Sequence, residues 1–596
     1  MHSPRHHHRL LLSILLALAL PTTTLNVPPR QKDRAFFKFH SRPDIDAPTW
    51  TVQIHEEAAV DPGYWFVAPY SDLDQPRPGA GYVGPHIYDA RGDLVWSGAG
   101  MFQHWNTFDF DVTTIKGKQM MTVLYPHGRA GLILDEKYEV CKEVGLEGVH
   151  ADMHAFRVID GGSRALVITA DHVRVGGEEA AMVGFYDRAG CAVGHVGFAE
   201  LDVNLPGRPV FEWSSRHHVG LDEVTFNDDR VKEECAHHWD ILHANSIDKF
   251  ADNDYLISAR HTDTVYKVSH KDGSIVWRLG GVESDFDFIG RGNPIFSRQH
   301  HAQVIGQDRT HTIISLFDNA IGTGPNEFKT NSMARGLILL LNTVDWTASI
   351  LSEYRHPRGS TVSSRGSFQI LESGNAFLSW TYSSRISEHA PNGTVVMEAV
   401  MNAETHTYRA FKHPWIGRPT QPPDVVSEAV STNIGDTHTI VHVSWNGATE
   451  VATWVLRQAH ENGVVENTTL AIVDRTGFET EIAYEGLARY VVAEALDSKW
   501  NSLGRSKIVR TTLLDEQGTF PITHSLVDTL RRSKGLAVPL YSKNPVHAFF
   551  CGFGACAAAI LCLLWCARRR PLLPALAAPR RVSKYDLFMR EHLRSL

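Results

Sequence analysis

The chain has 596 residues, 43% hydrophobic and 21% charged, an ordinary globular mix long enough for more than one domain and a large core. A formal charge of -9 and a pI near 6.4 exclude a general affinity for nucleic acid. Histidine is abundant, at 33 residues, so metal binding has to be weighed against other chemistry.

At the N-terminus, Arg5 and Arg9 precede an apolar run from Leu10 to Leu20. A basic start and a short apolar core predict a secretory signal peptide over residues 1–24, because a membrane anchor needs a run of about 20 residues. From residue 50 to about 415 helical periodicity is almost absent. Short β-rich runs alternate with Gly, Asp and Asn turns, as in all-β folds.

The runs repeat. "IYDARGDLVWSG", "FYDRAGCAVGHVG" and "KVSHKDGSIVWRLGG" share strand, turn, strand and often a tryptophan. "DMHAFRVIDGGSRALVITA", "LHANSIDKFADNDYLISAR" and "SFQILESGNAFLSWTYSS" share a second pattern upstream. A degenerate repeat of four strands predicts a six-bladed β-propeller, with blades near 50–98, 103–145, 152–198, 238–281, 298–356 and 367–413. A large β-sandwich or jelly roll is the alternative without a repeat.

Proline-rich residues 416–430 read as a linker, and alternating strands over 431–511 as an immunoglobulin- or fibronectin-like β-sandwich. Residues 512–545 read as a stalk. Ala548–Ala567 carries no charge over a length that spans a bilayer, and Arg568, Arg569 and Arg570 follow it. These features predict a single-pass type I membrane protein with a lumenal or extracellular body and a cytosolic tail at 568–596. Sequons at Asn392 and Asn467 fit a glycosylated body. Four of the 7 cysteines lie in the expected span; Cys141, Cys191 and Cys235 allow at most one disulfide in the body.

The chemistry concentrates in "HHWDILHANSIDKFADNDYLISARHTDTVYKV", residues 237–268. Residues two apart in a strand share a face, so His243 and Asn245 point the same way, and a turn through Asp252–Asp254 returns Arg260 near them. A guanidinium fork matches a tetrahedral oxyanion, and an amide can donate to another oxygen. His300 and His301 are adjacent in "FSRQHHAQV" and face opposite sides of a strand. His154 in "DMHAF" occupies the place in its repeat that His243 occupies in the next.

These stretches, with "PGYWFVAP" and "ISLFDN", resemble the arylsulfotransferase family, in its fungal membrane-associated branch. The resemblance implies a six-bladed propeller and sulfuryl transfer from a phenolic sulfate ester to a phenol, with no cofactor and no nucleotide sulfate donor. It implies His300 as the nucleophile, His243 and Asn245 as a His-x-Asn pair, Arg260 as the sulfate-binding arginine and His154 as the remaining site histidine. A sulfo-histidine splits one hard transfer into two, with His243 or His154 moving the phenol proton. Trp239, Phe296 and His301 are candidates for substrate contact. A zinc site from His237, His238, His243 and His300 is disfavoured by Arg260 aimed at the same place. A membrane-tethered propeller used only for binding is the non-enzymatic alternative.

Overall fold

The computed structural model describes residues 35–71, 79–127, 129–145, 151–174, 192–205, 209–226, 239–290, 295–320, 330–431 and 437–514. The expected signal peptide, most of the stalk, the span and the cytosolic tail lie outside them, as do His237, His238, Cys191 and Cys235. Among the described residues no helix is long and apolar enough to cross a membrane.

Local sequence explains the strands. In "SIDKFADNDYLISA" the run Ala244–Lys249 turns back at Asn253, whose φ of 74° suits an Asn, and pairs antiparallel with Tyr255–Ala259. Backbone bonds from Phe250 to Asp254 (2.8 Å) and from Asp254 to the Asp252 carboxylate (3.1 Å) close the turn. The same logic repeats through the body, giving antiparallel sheets and almost no helix, a propeller-like all-β arrangement.

Six of the sheets meet through edge strands, each of these lying against the edge strands of two others. Each presents one edge strand inward: Phe108–Ile115, Ala151–Ile159, Ala244–Lys249, His300–Gln307, Ser367–Ile370 and His406–His413. An apolar cluster fills each gap between neighbouring sheets. In His311–Asp318, Ile314 and Leu316 pack toward the preceding sheet while Ile313 and Phe317 pack toward the next. Both faces of such a strand are buried, so its sequence is a continuous apolar run rather than an alternation. Burying one such side chain contributes about 1.5–3 kcal/mol.

The ring closes by exchanging strands between the chain's two ends. Trp50–Ile54 pairs with Val395–Met401 on the outside of the 367–401 sheet, and His406–His413 supplies the inner strand for the sheet of Tyr64–Tyr70, His86–Tyr88 and Leu94–Ser97. The stretches 50–98 and 367–413, expected as separate four-strand units, therefore each lend a strand to the other. A repeat boundary in sequence marks turns, not which strand fills which edge.

Residues 424–514 form two further sheets around one core of Trp454, Val441, Leu456, Ile482 and Val491. Their first strand, Asp424–Ser431, starts inside the stretch expected as linker. Their last, Thr512–Leu514, pairs with it and uses the first residues of the expected stalk. Side chains tie this unit to the ring: Tyr138 donates to the Gly447 carbonyl at 2.8 Å, and Asn446 and Ser97 bond reciprocally at 2.9 and 3.0 Å. Asn392 sits exposed in a turn of the ring and Asn467 exposed on a strand of the second unit.

Candidate active site

The segment Ser297–His301 enters the axis and is pinned from several sides. Arg298 is fully buried and clamps Asp263 with contacts of 2.8 Å to both carboxylate oxygens. Gln299 donates to the carbonyls of Ala259 and Thr264 at 2.9 and 3.0 Å. Asp318 accepts from the Ser297 and Ala320 amides and pairs with Arg335 at 2.9 Å. Burial pushes the Asp318 carboxyl up to about 6. Non-glycine residues with left-handed φ gather here: Asp109 (48°), His243 (50°), Arg298 (55°), His301 (52°), Ala320 (60°) and Arg365 (63°). Such conformations persist where surrounding contacts over-determine them, and they collect at functional sites.

His300 is buried, and its protonation pattern is fixed from three directions. Its Nδ1 faces the Asn319 Oδ1 at 2.7 Å and the Arg298 carbonyl at 2.9 Å. The Asn319 amide nitrogen in turn donates to the carbonyls of Val362 and Arg365, at 2.8 and 3.0 Å, so its oxygen is the atom turned to His300. Nδ1 therefore carries the proton. Nε2 carries the lone pair and accepts the Arg365 backbone N–H at 3.2 Å. Burial, then the charge of Arg260, hold the ring well below the ordinary imidazole range; His243 and His154 act in the same direction.

Arg260 is buried beside this ring. It donates to the Ser363 carbonyl at 3.3 Å and lies under Phe226, 5.7 Å from the ring centre. The hairpin that carries it closes through the Arg260 N–H to the His243 carbonyl, 3.1 Å, and the His261 N–H to the Leu242 carbonyl, 3.0 Å. Asn245 donates to the Gln299 carbonyl at 2.7 Å, and its buried Oδ1 has no hydrogen-bond partner among the described residues.

His243 and His154 meet edge to face with ring centres 4.8 Å apart. Each is held by a carboxylate just upstream. Asp240 takes both the His243 amide (2.8 Å) and its Nδ1 (2.6 Å), while Asp152 takes the His154 amide (2.9 Å) and its Nδ1. His261 lies 4.6 Å from His243, stacks on Phe226 at 4.2 Å and donates from Nδ1 to the Asp240 carbonyl. Tyr408 lies 5.4 Å from His154 with its buried hydroxyl unpartnered among the described residues.

His300, Arg260, His243 and His154 are thus brought together, with Asn245 one bond away on the Gln299 carbonyl. His301 is not. It turns to the other side of its strand, with Nδ1 against Phe368 at 3.1–3.2 Å and its ring against Phe411. It lines an axial cavity of about 770 Å³ with Arg157, Gln303, Asp248 and His413. Arg409, paired with Asp109 and bonded to the Asn245 carbonyl, also lines that cavity. Phe296 is fully buried in the apolar cluster between its sheet and the preceding one, because its ring fills the space beside Gly280 and Phe288. Trp239 belongs to a two-residue strand paired with Val193. Phe226 brings an aromatic face to the site, against His261 and Arg260.

Sequence reasoning missed Asp152, Asp240, His261, Phe226, Asn319 and Tyr408. The two aspartates had a readable signal, a carboxylate two or three residues before each site histidine. Of the possible metal ligands, Asp240, His243 and His261 cluster within 4.8 Å, but the first two are bonded to each other and Arg260 lies alongside. His300 is not among them.

The fold and this cluster define a propeller-like, all-β protein with a neutral imidazole, a buried guanidinium and two carboxylate-held histidines at one mouth of its axis. The arylsulfotransferase (ASST) family model matches residues 106–402, a stretch holding every one of these groups except Tyr408, and supports placing the chain in that family. No curated protein matches the chain. Among solved structures, a protein of unknown function from Bacteroides caccae aligns at 10% identity, with 59% of this chain, 99% of that one and a TM-score of 0.33. A virginiamycin B lyase from Staphylococcus aureus with quinupristin aligns at 10% identity, 60% and 83% coverage and TM-score 0.25. The hydrazine synthase of Kuenenia stuttgartiensis aligns at 9%, 67% and 95%, and 0.24.

Proposed function

We propose that the chain is an arylsulfotransferase that moves a sulfuryl group from a phenolic sulfate ester to a phenol through a sulfo-histidine on His300, without a nucleotide sulfate donor. The observation that carries this reading is the fixed tautomer of His300. A buried neutral ring with Nδ1–H tied to Asn319 offers Nε2 as a nucleophile at neutral pH. Nε2 attacks sulfur, the bond from sulfur to the aryl oxygen breaks, and its electron pair leaves on that oxygen. Arg260, itself buried, stabilises the sulfuryl oxygens at a position where a fixed charge acts more strongly than in open water. Tyr408, whose hydroxyl burial keeps protonated, offers a donor beside His154. Attack by the acceptor phenol then reverses the step and frees His300.

On this reading the six sheets are the blades of a six-bladed propeller and residues 424–514 an immunoglobulin-like β-sandwich. The chain enters the secretory pathway on a signal peptide, is held by the span at 548–567 and carries glycans at Asn392 and Asn467. Its partners are small aryl sulfates and phenols.

The test uses the full chain in detergent with 4-nitrophenyl sulfate and a phenol acceptor. The expected result is nitrophenol release that depends on the acceptor, with an added sulfuryl group on the 295–305 peptide and loss of both in His300→Ala. One observation favours a second reading, a membrane-tethered propeller that only binds: the Arg365 N–H already occupies the His300 lone pair. Binding of an aryl sulfate with no release and no label across several donors would establish that reading instead.

A further inference from the structure

Asp240 and Asp152 do the same two things in two places. Each carboxylate caps the backbone N–H of a histidine and also takes that histidine's Nδ1–H. The pairs differ in how firmly they are built. His154 lies inside the inner strand Ala151–Ile159, where the pairing register shifts between Ala151 and Phe156. His243 stands just before its strand at a φ of 50°, a left-handed conformation that a non-glycine residue keeps only where its surroundings impose it. Asp240 imposes it from below and His261 packs the ring from the side, itself tied to the Asp240 carbonyl at 2.6 Å. Contacts with His243 and His261 also hold the Asp240 carboxyl below the usual range, against the opposing effect of burial.

We propose that Asp240 is a positioning residue for sulfuryl transfer, which holds His243 by Nδ1–H so that His243, not His154, is the acid and base that exchanges a proton with the aryl oxygen. This deepens the arylsulfotransferase reading and rests on it. In the first half-reaction the His300 Nε2–S bond forms and the S–O bond to the aryl group breaks. The departing oxygen takes a proton from Nε2 of the His243 imidazolium, which becomes neutral. In the second, that neutral Nε2 takes the acceptor's phenolic proton as its oxygen attacks sulfur, and the S–N electron pair returns to His300. Atoms and protons balance over the cycle. The same group acts in both directions, as reversibility requires when donor and acceptor are both phenols. The carboxylate stabilises the imidazolium while it exists and keeps the reactive nitrogen facing out.

The experiment compares wild type, Asp240→Asn, Asp240→Glu and Asp152→Asn as full chains, each checked for an unchanged melting temperature. Donors run from 4-nitrophenyl sulfate, whose phenol leaves without help, to sulfates of phenols of ordinary basicity, which need an acid. Asp240→Asn should lose about tenfold or less with the nitrophenyl donor and roughly a hundredfold to ten-thousandfold with the basic phenols. Asp240→Glu should recover part of that difference, and Asp152→Asn should lose the same factor with every donor. A loss in Asp240→Asn that is equal for all donors, or absent, overturns the proposal while leaving sulfuryl transfer standing. Leaving-group sensitivity in Asp152→Asn instead assigns the proton to His154 and also overturns it. A wild-type chain that transfers nothing from any donor and carries no label brings down the arylsulfotransferase reading itself, and this proposal with it. If Asp240→Asn does not fold, the same leaving-group comparison on His243→Gln decides: a uniform loss across donors removes His243 from proton transfer.

Discussion

His300 and His301 are neighbours in sequence, equally buried, and both held well below the ordinary imidazole range, yet they belong to different places. His300 turns to a cluster of imidazoles and Arg260 at the start of the inner strands. His301 turns to the axial cavity, near Arg409, Arg157 and a phenylalanine ring. Burial alone makes a neutral histidine and does not decide which ring nitrogen carries the lone pair. The distinguishing feature is Asn319, which assigns the proton on His300, whereas both His301 contacts fall on the same nitrogen, the Phe368 N–H and carbonyl sharing its Nδ1.

That contrast can be broken most directly by substitution. His300→Ala should abolish acceptor-dependent nitrophenol release, by at least roughly a thousandfold, while His301→Ala keeps turnover within about tenfold and lowers stability by about 1–2 kcal/mol. Equal losses in the two variants, measured by initial rates and denaturant melts, would erase the distinction. Arg260→Ala should cost roughly 10²–10³ in turnover, because one fixed donor to a developing oxyanion is removed. The label on His300, followed by mass spectrometry, should form correspondingly slowly. Asn319→Leu should cost less, roughly 10–100-fold, by releasing Nδ1, and should leave the fold of the His301 side unchanged by near-ultraviolet circular dichroism.

The smallest effect is on pH. For groups whose folded pKa is depressed, the folded form resists a proton that the unfolded chain accepts below about 6.5. Stability should therefore be flat above that pH and fall as pH drops toward 4. His389, buried and lowered to about 4, should withdraw on the order of 3 kcal/mol by pH 4, and His356, lowered by burial and then by Arg385, acts in the same direction. Asp318 runs the other way: its carboxyl, raised to about 6, favours the fold at low pH and loses that contribution as pH rises from about 4 to 6. Thermal melts between pH 4 and 8 in wild type, Asp318→Asn and His389→Gln separate the two slopes. Initial label formation on His300 from 4-nitrophenyl sulfate should persist below pH 6.5, since its neutral form does.

The chain's linear order exposed part of this site. His243, Asn245, Arg260 and His300 stand at regular places in a hairpin and the strand that follows, where period-two alternation and a short turn suffice to bring them near one another. Alternation failed at His243 itself, because the residue leaves the strand at positive φ and its ring follows Asp240 rather than the pleat. Phe226 and Tyr408 come from other segments altogether, 35 and 148 residues from His261 and Arg260 respectively, and reach the site through sheet packing that no local pattern encodes. Phe296 looked like a stacking surface because aromatics near a site often are; its ring is buried beside Gly280 and Phe288. The strands were legible from their turns, while their partners at the ring's closure were not, since pairing between the 50–54 and 395–401 strands joins segments about 350 residues apart and no local pattern names the partner.

The outer position of Trp50–Ile54 bears on how the molecule is made. Its partner strand ends at Met401, about 350 residues later. At roughly 5–20 residues synthesised per second, the first strand waits on the order of half a minute for the edge it completes. During that interval the edge of the 395–401 strand does not yet exist, and Trp50 meets only the Trp65, Tyr88 and Leu94 side of its core, without Phe377, Ile386 and Met397. Closure of the ring is a late, long-range event with a high entropic barrier. Biogenesis, rather than equilibrium stability, is then where a change in residues 50–54 would first be felt: as slow maturation and retention by folding factors, with the few molecules that close behaving normally.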